Sequence, residues 1–254
     1  MNPDGLRARM HRREALCGTF VKTPVVEIVE VLARSGLDFL CFDGEHAPFD
    51  RYRLDNCIAI ARALDVPTLV RLPVGSPAEI LKALDAGATG VVIPHCKDVQ
   101  TAQTAAQAAH FGHGGRGYAG STRWAGFATR SMAEVLADDV ETVVIGQIEE
   151  PEAVEAVEHI AAVEGIDGVF VGPADLAVCY GEDSIEAKPV RDAIRRVSDA
   201  AAAAGISSVT FAPSAAMTAD LKAIGVNMIF FASEHSWILQ GARATAGDFH
   251  AAME

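Results

Sequence analysis

No stretch of this 254-residue chain approaches the roughly 18 consecutive apolar residues of a membrane-spanning helix, so no span is expected. Positive charge is also scarce. The 21 Lys and Arg face 34 Asp and Glu, giving a formal net charge of −13. Such a surface repels nucleic acid and anionic membranes, so neither is an expected partner, and an anionic substrate would need a local positive site. The five cysteines (Cys17, Cys41, Cys57, Cys96 and Cys179) are odd in number, scattered, and contain no Cys-x-x-Cys pair. They read as reduced core thiols of a cytoplasmic protein. No G-x-G-x-x-G follows the first strand-like run, which counts against a dinucleotide-binding fold. Met1 to Glu14 is polar and Arg-rich without an apolar segment, so it is read as a short surface helix and not as a secretory signal. Aromatics make up only 6% of the chain, while alanine and glycine are abundant, as suits close packing of helices on a sheet.

What is present is a rhythm. Short apolar, β-rich runs recur at Leu16–Val21, Leu37–Phe42, Val66–Leu72, Gly90–Pro94, Thr142–Ile148, Gly168–Val171, Ile206–Phe211 and Val226–Phe231. Each is apolar on consecutive residues and not on alternate ones, the mark of strands buried on both faces of a parallel sheet. Between them lie amphipathic segments of helical length, among them Pro24–Ser35, Asp50–Leu64, Pro77–Asp85, Asp98–Phe111, Pro151–Val163 and Glu186–Ala204. Several open on Pro or Asp and close on glycine. Strand and helix alternate eight times without a break in composition, which predicts one α/β domain over residues 1–254, a (β/α)8 TIM barrel of parallel strands. An open doubly wound sheet is the alternative. The glycine-rich stretch from Gly112 to Trp124 is long for a connection and carries Arg116 and Arg123; it reads as a lid, a subunit contact or a plain solvated loop.

In such a barrel chemistry is built where strands end. The second run ends in Asp43-Gly44-Glu45-His46, three ionisable groups in four residues. The third ends at Arg71, the fourth at His95, the fifth at Gln147-Ile148-Glu149 and the sixth at Gly172-Pro173-Ala174-Asp175. Glu149 and Asp175 follow adjacent strands, and two hard oxygen ligands suit Mg²⁺ or Mn²⁺; helix capping explains acidic residues there equally well. His46 is a candidate general base with Asp43 and Glu45 as neighbours, or a structural histidine. Arg71 at a buried strand end needs an anion, either a developing enolate or carboxylate, or simply Asp43 or Glu45. His95 contacts ligand or caps its strand. The backbone N–H groups of Ala174 and Asp175 are free to bind an anion. Asp85, at a helix end, reads as structural.

Taken together, Phe42-Asp43-Gly44-Glu45-His46-Ala47-Pro48, Val70-Arg71-Leu72-Pro73, Gly87 to Pro94, Gln147-Ile148-Glu149 and Val171-Gly172-Pro173-Ala174-Asp175-Leu176 resemble the HpcH/HpaI aldolase family of metal-dependent pyruvate aldolases. The resemblance runs from about Gly18 to Phe231. It implies a (β/α)8 barrel in a homo-oligomer, a trimer or hexamer, with the last helix packed on a neighbour. It implies a divalent metal ion (Mg²⁺, Mn²⁺ or Co²⁺) on Glu149 and Asp175. Substrate would be held by Gln147, Gly172, Ala174 and Asp175. Arg71 would stabilise the enolate, and His46 would be the acid/base, with Asp43 and Asp85 as catalytic partners that orient it or make it more basic. The implied reaction cleaves a 4-hydroxy-2-oxo acid to pyruvate and an aldehyde; acyl-CoA ester cleavage and oxaloacetate decarboxylation are alternatives using the same enolate. The Arg116/Arg123 loop is the only basic groove on offer for a CoA nucleotide. No lysine is read at a strand end of the mouth, Lys97 being the nearest, which argues against Schiff-base chemistry. Ala174, Ala177 and Ala232-Ser233-Glu234-His235 depart from the family pattern, leaving the aldehyde undefined.

Overall fold

Eight strands, all parallel and hydrogen-bonded in sequence order, close into a barrel in the computed structural model, which describes residues 5–254. They are β1 (Leu16–Val21), β2 (Phe39–Asp43), β3 (Thr68–Arg71), β4 (Gly90–Ile93), β5 (Val143–Ile148), β6 (Gly168–Val171), β7 (Ser207–Ala212) and β8 (Met228–Ser233). Closure settles the choice against an open sheet: β1 pairs with both β2 and β8. The helices are α1 (Leu6–His11), α2 (Val26–Leu32), α3 (Arg51–Ala63), α4 (Pro77–Asp85), α5 (Val99–Ala109), α6 (Met132–Ala137), α7 (Pro151–Glu155), α8 (Val157–Ala161), α9 (Pro173–Tyr180), α10 (Lys188–Ala204), α11 (Thr218–Ala223) and α12 (Glu234–Met253). Asp50, Ser76 and Asp98 each accept a backbone N–H three residues on, which fixes where α3, α4 and α5 begin beside the strand ends. The segment expected as one helix from Pro151 to Val163 is two, broken at Ala156 (φ −94°, ψ 0°).

Two cores explain the continuous apolar runs. Outward-facing residues such as Leu40, Val70, Val91 and Val169 pack against the helices. Inward-facing ones fill the barrel: Phe20, Phe39, Phe170 and Phe230 meet with ring centroids 4.8–6.0 Å apart. Gly18 makes this possible, since a Cβ there would lie 2.3 Å from the Phe39 ring. The interior is therefore a packed floor and not a pore.

The expectation of a surface helix at the N-terminus is corrected. Its first four residues lie outside the described ones, but α1 drives Leu6 and Met10 into the inner core and so closes the barrel end opposite the mouth. Arg7 (2.7 Å) and His11 (2.8 Å) hold it there on the fully buried Asp167. The cysteine expectation is corrected in part. Cys41, Cys57 and Cys96 are buried, Cys17 is half-buried and Cys179 is exposed. Burial pushes the Cys57 thiol up to about 11 and that of Cys96 to about 12, which keeps both protonated and unreactive. Among the described residues no helix is long and apolar enough to cross a membrane.

Candidate active site

Register builds one wall of the mouth. Asp43 and Arg71 are direct partners in the β2–β3 pairing, so their side chains project from the same level on the same face. The guanidinium grips the carboxylate with Nε (3.0 Å to Oδ1) and Nη2 (2.7 Å to Oδ2), and stands 4.4 Å over the Phe20 ring. Asp43 is completely buried and also accepts the Lys22 ammonium (2.7 Å) and the N–H groups of Glu45 (3.3 Å) and His46 (3.0 Å). Burial alone would raise its pKa, but the Arg71 hydrogen bonds and charge, helped by Lys22 and the His46 N–H, outweigh this and lower it to about 2. Burial likewise opposes charge on Arg71, and Asp43 more than restores it.

This corrects the role expected of Asp43. It touches His46 only through the backbone and orients Arg71, not the imidazole. The His46 ring is exposed, and its Nε2 lies 3.8 Å from Glu45 Oε2. Glu45 has a clearer place than its sequence gave it: it stands between His46, Arg71 (3.4 Å) and His95 (3.8 Å).

The buried Asp43 carboxylate makes stability depend on pH. Its folded pKa lies below the ordinary 3.8, so its contribution is complete above that value and lost as pH falls through about 2. The shift corresponds to about 2 kcal/mol. Asp43→Asn, which strands the buried Arg71, is expected to lose about 3–5 kcal/mol near neutrality. Urea unfolding at stepwise pH should show this deficit narrowing by about 2 kcal/mol between pH 4 and 2. Parallel curves would rule out the ion-pair account.

The opposite wall carries the acids. Along β5, Val143, Ile145 and Gln147 face inward, and Glu149 continues that face beyond the strand end. Glu149 is 3% exposed. Its Oε1 accepts the His95 N–H (2.6 Å) and its Oε2 the Gln147 amide. The left-handed backbone of His95 (φ 50°) aims that N–H inward. The His95 ring lies against Glu149 (3.1 Å) and Glu150 (2.9 Å). Burial depresses the basicity of that ring, but the surrounding carboxylates, Glu149 first, raise its pKa overall. Asp175 sits in the first turn of α9, with Ala174 beside it and exposed.

Gly172 shows that the two acids converge. A Cβ at this position would lie 3.3 Å from Asp175 Oδ2 and 3.4 Å from Glu149 Oε2. Burial, with Asp175 as a further negative neighbour, raises the Glu149 pKa. The buried Gln147 Oε1 has no hydrogen-bond partner among the described residues. Two carboxylates that repel each other beside an unsatisfied amide oxygen suit a hard divalent cation. Among the described residues no group of three or more His, Cys, Asp or Glu could hold a metal ion.

Three expectations are not met. Asp85 ends α4, which runs back from the mouth, and its carboxylate takes Arg116 (2.6 Å) instead of serving His46 in the same chain. The Gly112–Trp124 loop is not a lid over this mouth, because it follows α5 at the opposite end of the barrel; residues 112–114 and 117–119 are solvated, as the plain-loop reading expects. Arg116 is buried between Phe111 (4.6 Å) and Trp124 (5.0 Å), and Arg123 pairs with Asp55 (2.7 Å), so neither is free for a nucleotide. A lysine does stand in the mouth: Lys22 follows β1 directly. Counting by two from the inward-facing Phe20 reaches it, a signal available in the sequence.

Residues 16–229 match the family described as HpcH/HpaI aldolase/citrate lyase. A hydroxypyruvate/pyruvate aldolase of Paraburkholderia phytofirmans is 32% identical over 94% of each chain. A 2-keto-3-deoxy-L-rhamnonate aldolase of Escherichia coli is 30% identical over 89% of this chain and 88% of its own. The crystal structure of an HpcH/HpaI aldolase/citrate lyase family protein from Burkholderia cenocepacia J2315 superposes with a TM-score of 0.91 at 32% identity, covering 96% of this chain and 98% of that one. The match begins with β1 and ends inside β8, taking in every strand whose end furnishes the mouth, and the chain belongs to the HpcH/HpaI aldolase/citrate lyase family.

Proposed function

We propose that this protein is a divalent-metal-dependent aldolase that reversibly cleaves a 4-hydroxy-2-oxo acid to pyruvate and an aldehyde. One observation carries the reading: the Glu149 and Asp175 carboxylates converge at Gly172 beside the unpartnered Gln147 oxygen, in the same mouth as a guanidinium. Glu149 and Asp175 would hold Mg²⁺, Mn²⁺ or Co²⁺, which when bound supplies a Lewis acid for the substrate's keto group. Arg71 places fixed positive charge where the enolate develops. Gln147 and the N–H groups of Ala174 and Asp175 at the start of α9 orient the oxo-acid carboxylate; Pro173 has no N–H to give. His46 takes the proton of the 4-hydroxyl, with Glu45 beside its ring. Loss of that proton lets the C3–C4 bond break as the aldehyde C=O forms, its electrons passing to the pyruvate half, whose C3 then takes a proton back from His46 or water to give pyruvate. A Schiff base is not required, and the Lys22 ammonium is held by Asp43 instead. Relatives named as aldolases of oxo acids support the same reaction class.

A homo-oligomer, trimer or hexamer, belongs to this reading. Every residue of α12 from Ile238 onward is exposed, including Ile238, Leu239, Phe249 and Met253. A 20-residue helix with unburied apolar side chains is best explained by packing on another copy.

The test is a coupled assay of pyruvate release from 4-hydroxy-2-oxo acids, with Mg²⁺, Mn²⁺ or Co²⁺ and after chelation. Turnover is expected to vanish with chelator and return with added metal. Turnover that survives complete metal removal would sink the mechanism.

A further inference from the structure

Lys22 is a cation of the mouth that the aldolase reading leaves unused. The Asp43 carboxylate faces two cations, of which Arg71 also has Glu45 at 3.4 Å. Arg71 occupies both of its oxygens, and the Lys22 ammonium shares Oδ2 at 2.7 Å. An ammonium has three donors and Asp43 takes one. The Lys22 side chain is 29% exposed, so it is not sealed in with the fully buried Asp43.

Position decides what the free Lys22 donors can meet. In a closed ring of eight strands β1 stands opposite β5, so Lys22 faces the Glu149 wall across the mouth. Under the proposed function, on which this inference rests, the pyruvate half lies between the acids and Arg71. The aldehyde half then points toward the ends of β8 and β1. That quadrant is rigid. Glu234 is buried, and its Oε1 accepts the N–H groups of Lys22 (2.8 Å) and Thr23 (2.5 Å). Thr23 Oγ1 and His235 Nε2 are 2.8 Å apart beside them. The second Glu234 oxygen is buried without a partner, so this side is net negative without Lys22. Glu45, the other carboxylate near Arg71 (3.4 Å), also lies 3.8 Å from His46 and from His95.

We propose that Lys22 is the acceptor-recognition residue of this mouth: its ammonium binds the anionic far end of the aldehyde half and selects carboxylate-bearing over neutral aldehydes. Arg71 is fixed by Asp43 at the reacting end, which leaves Lys22 as the cation for the distal end. Its side chain stays on Asp43 while it does so.

The test is aldol addition of pyruvate to two aldehydes of matched shape, succinic semialdehyde and 4-methylpentanal, with metal present. Wild type is expected to favour the carboxylate by roughly ten- to a hundredfold in kcat/KM. In Lys22→Met the ratio should fall to near one, and Lys22→Arg should retain most of it. The wild-type KM for succinic semialdehyde should also rise with added salt while that for 4-methylpentanal stays constant, a readout that needs no variant. If both rates fall by one factor in Lys22→Met, or the ratio is unchanged, Lys22 serves only the Asp43–Arg71 pair and the proposal is overturned. A salt-insensitive KM overturns it too. Wild-type addition to neither aldehyde overturns the aldolase reading together with this inference.

Discussion

Arg71→Lys is expected to slow aldol cleavage by roughly a hundred- to a thousandfold while the barrel stays folded. Asp43 takes the Nε and Nη2 of Arg71, a fork set by the β2–β3 register and backed by the Phe20 ring. The remaining edge of the planar guanidinium can then present charge to the substrate while both bonds to Asp43 persist. A lysine at this place has one ammonium. It can satisfy Asp43 or reach the developing enolate, but not both in fixed geometry. The charge opposite Asp43 survives, so the loss of stability should be small, about 1–2 kcal/mol for one hydrogen bond and the ring contact. Steady-state kinetics beside thermal unfolding checks both halves. A kcat/KM within tenfold of wild type would remove Arg71 from the chemistry, and an unfolded variant would show that the fork is structural first.

Glu149→Gln is expected to abolish metal-dependent turnover and to weaken Mn²⁺ binding by more than a hundredfold. Glu149 is held from both sides before any ion arrives, Oε1 by the His95 N–H and Oε2 by the Gln147 amide. Its charge, and not its shape, is what an ion would gain. Glutamine preserves the shape and removes the charge, leaving Asp175 as the sole carboxylate at the Gly172 cradle. A readout independent of activity is available. An ion at a hundredfold excess over its Kd stabilises the folded state by about 2.7 kcal/mol, a rise in Tm of roughly 5–10 °C for a domain of this size. Wild type should show that rise with Mn²⁺ and Glu149→Gln should not. An equal rise in both proteins would place the ion elsewhere.

The architecture was legible in the sequence because barrel strands covered by helices are apolar on both faces and their caps sit at fixed offsets. Asp50, Ser76 and Asp98 open helices within a residue of where their side-chain chemistry predicts. The site was legible as a set of strand-end residues but not as a set of contacts. The sequence leaves Asp43 two partners, His46 three residues on or Arg71 twenty-eight positions away, and register decides for Arg71. The resemblance makes Asp85 a catalytic partner of His46, yet the direction of α4 carries it away from the mouth of its own chain toward Arg116. Lys22 lies one residue past the apolar run that ends at Val21, so hydropathy does not mark it and only the inward face of β1 does. The burial of Arg116 could not be read at all, since it depends on two aromatic rings that the loop folds around it.

The seam between β1 and β8 has a consequence for synthesis on the ribosome. Glu234 fastens the backbone at Lys22 and Thr23 across 212 and 211 positions of sequence, and β8 supplies the last pairing that shuts the ring. The first strand therefore waits, with one edge unpaired, until almost the whole chain has been made. A nascent chain halted before β8 would carry Asp43, Arg71, Glu149 and Asp175, but it would lack the support that sets Lys22. Competence arises in one late step, when the last strand reaches the first.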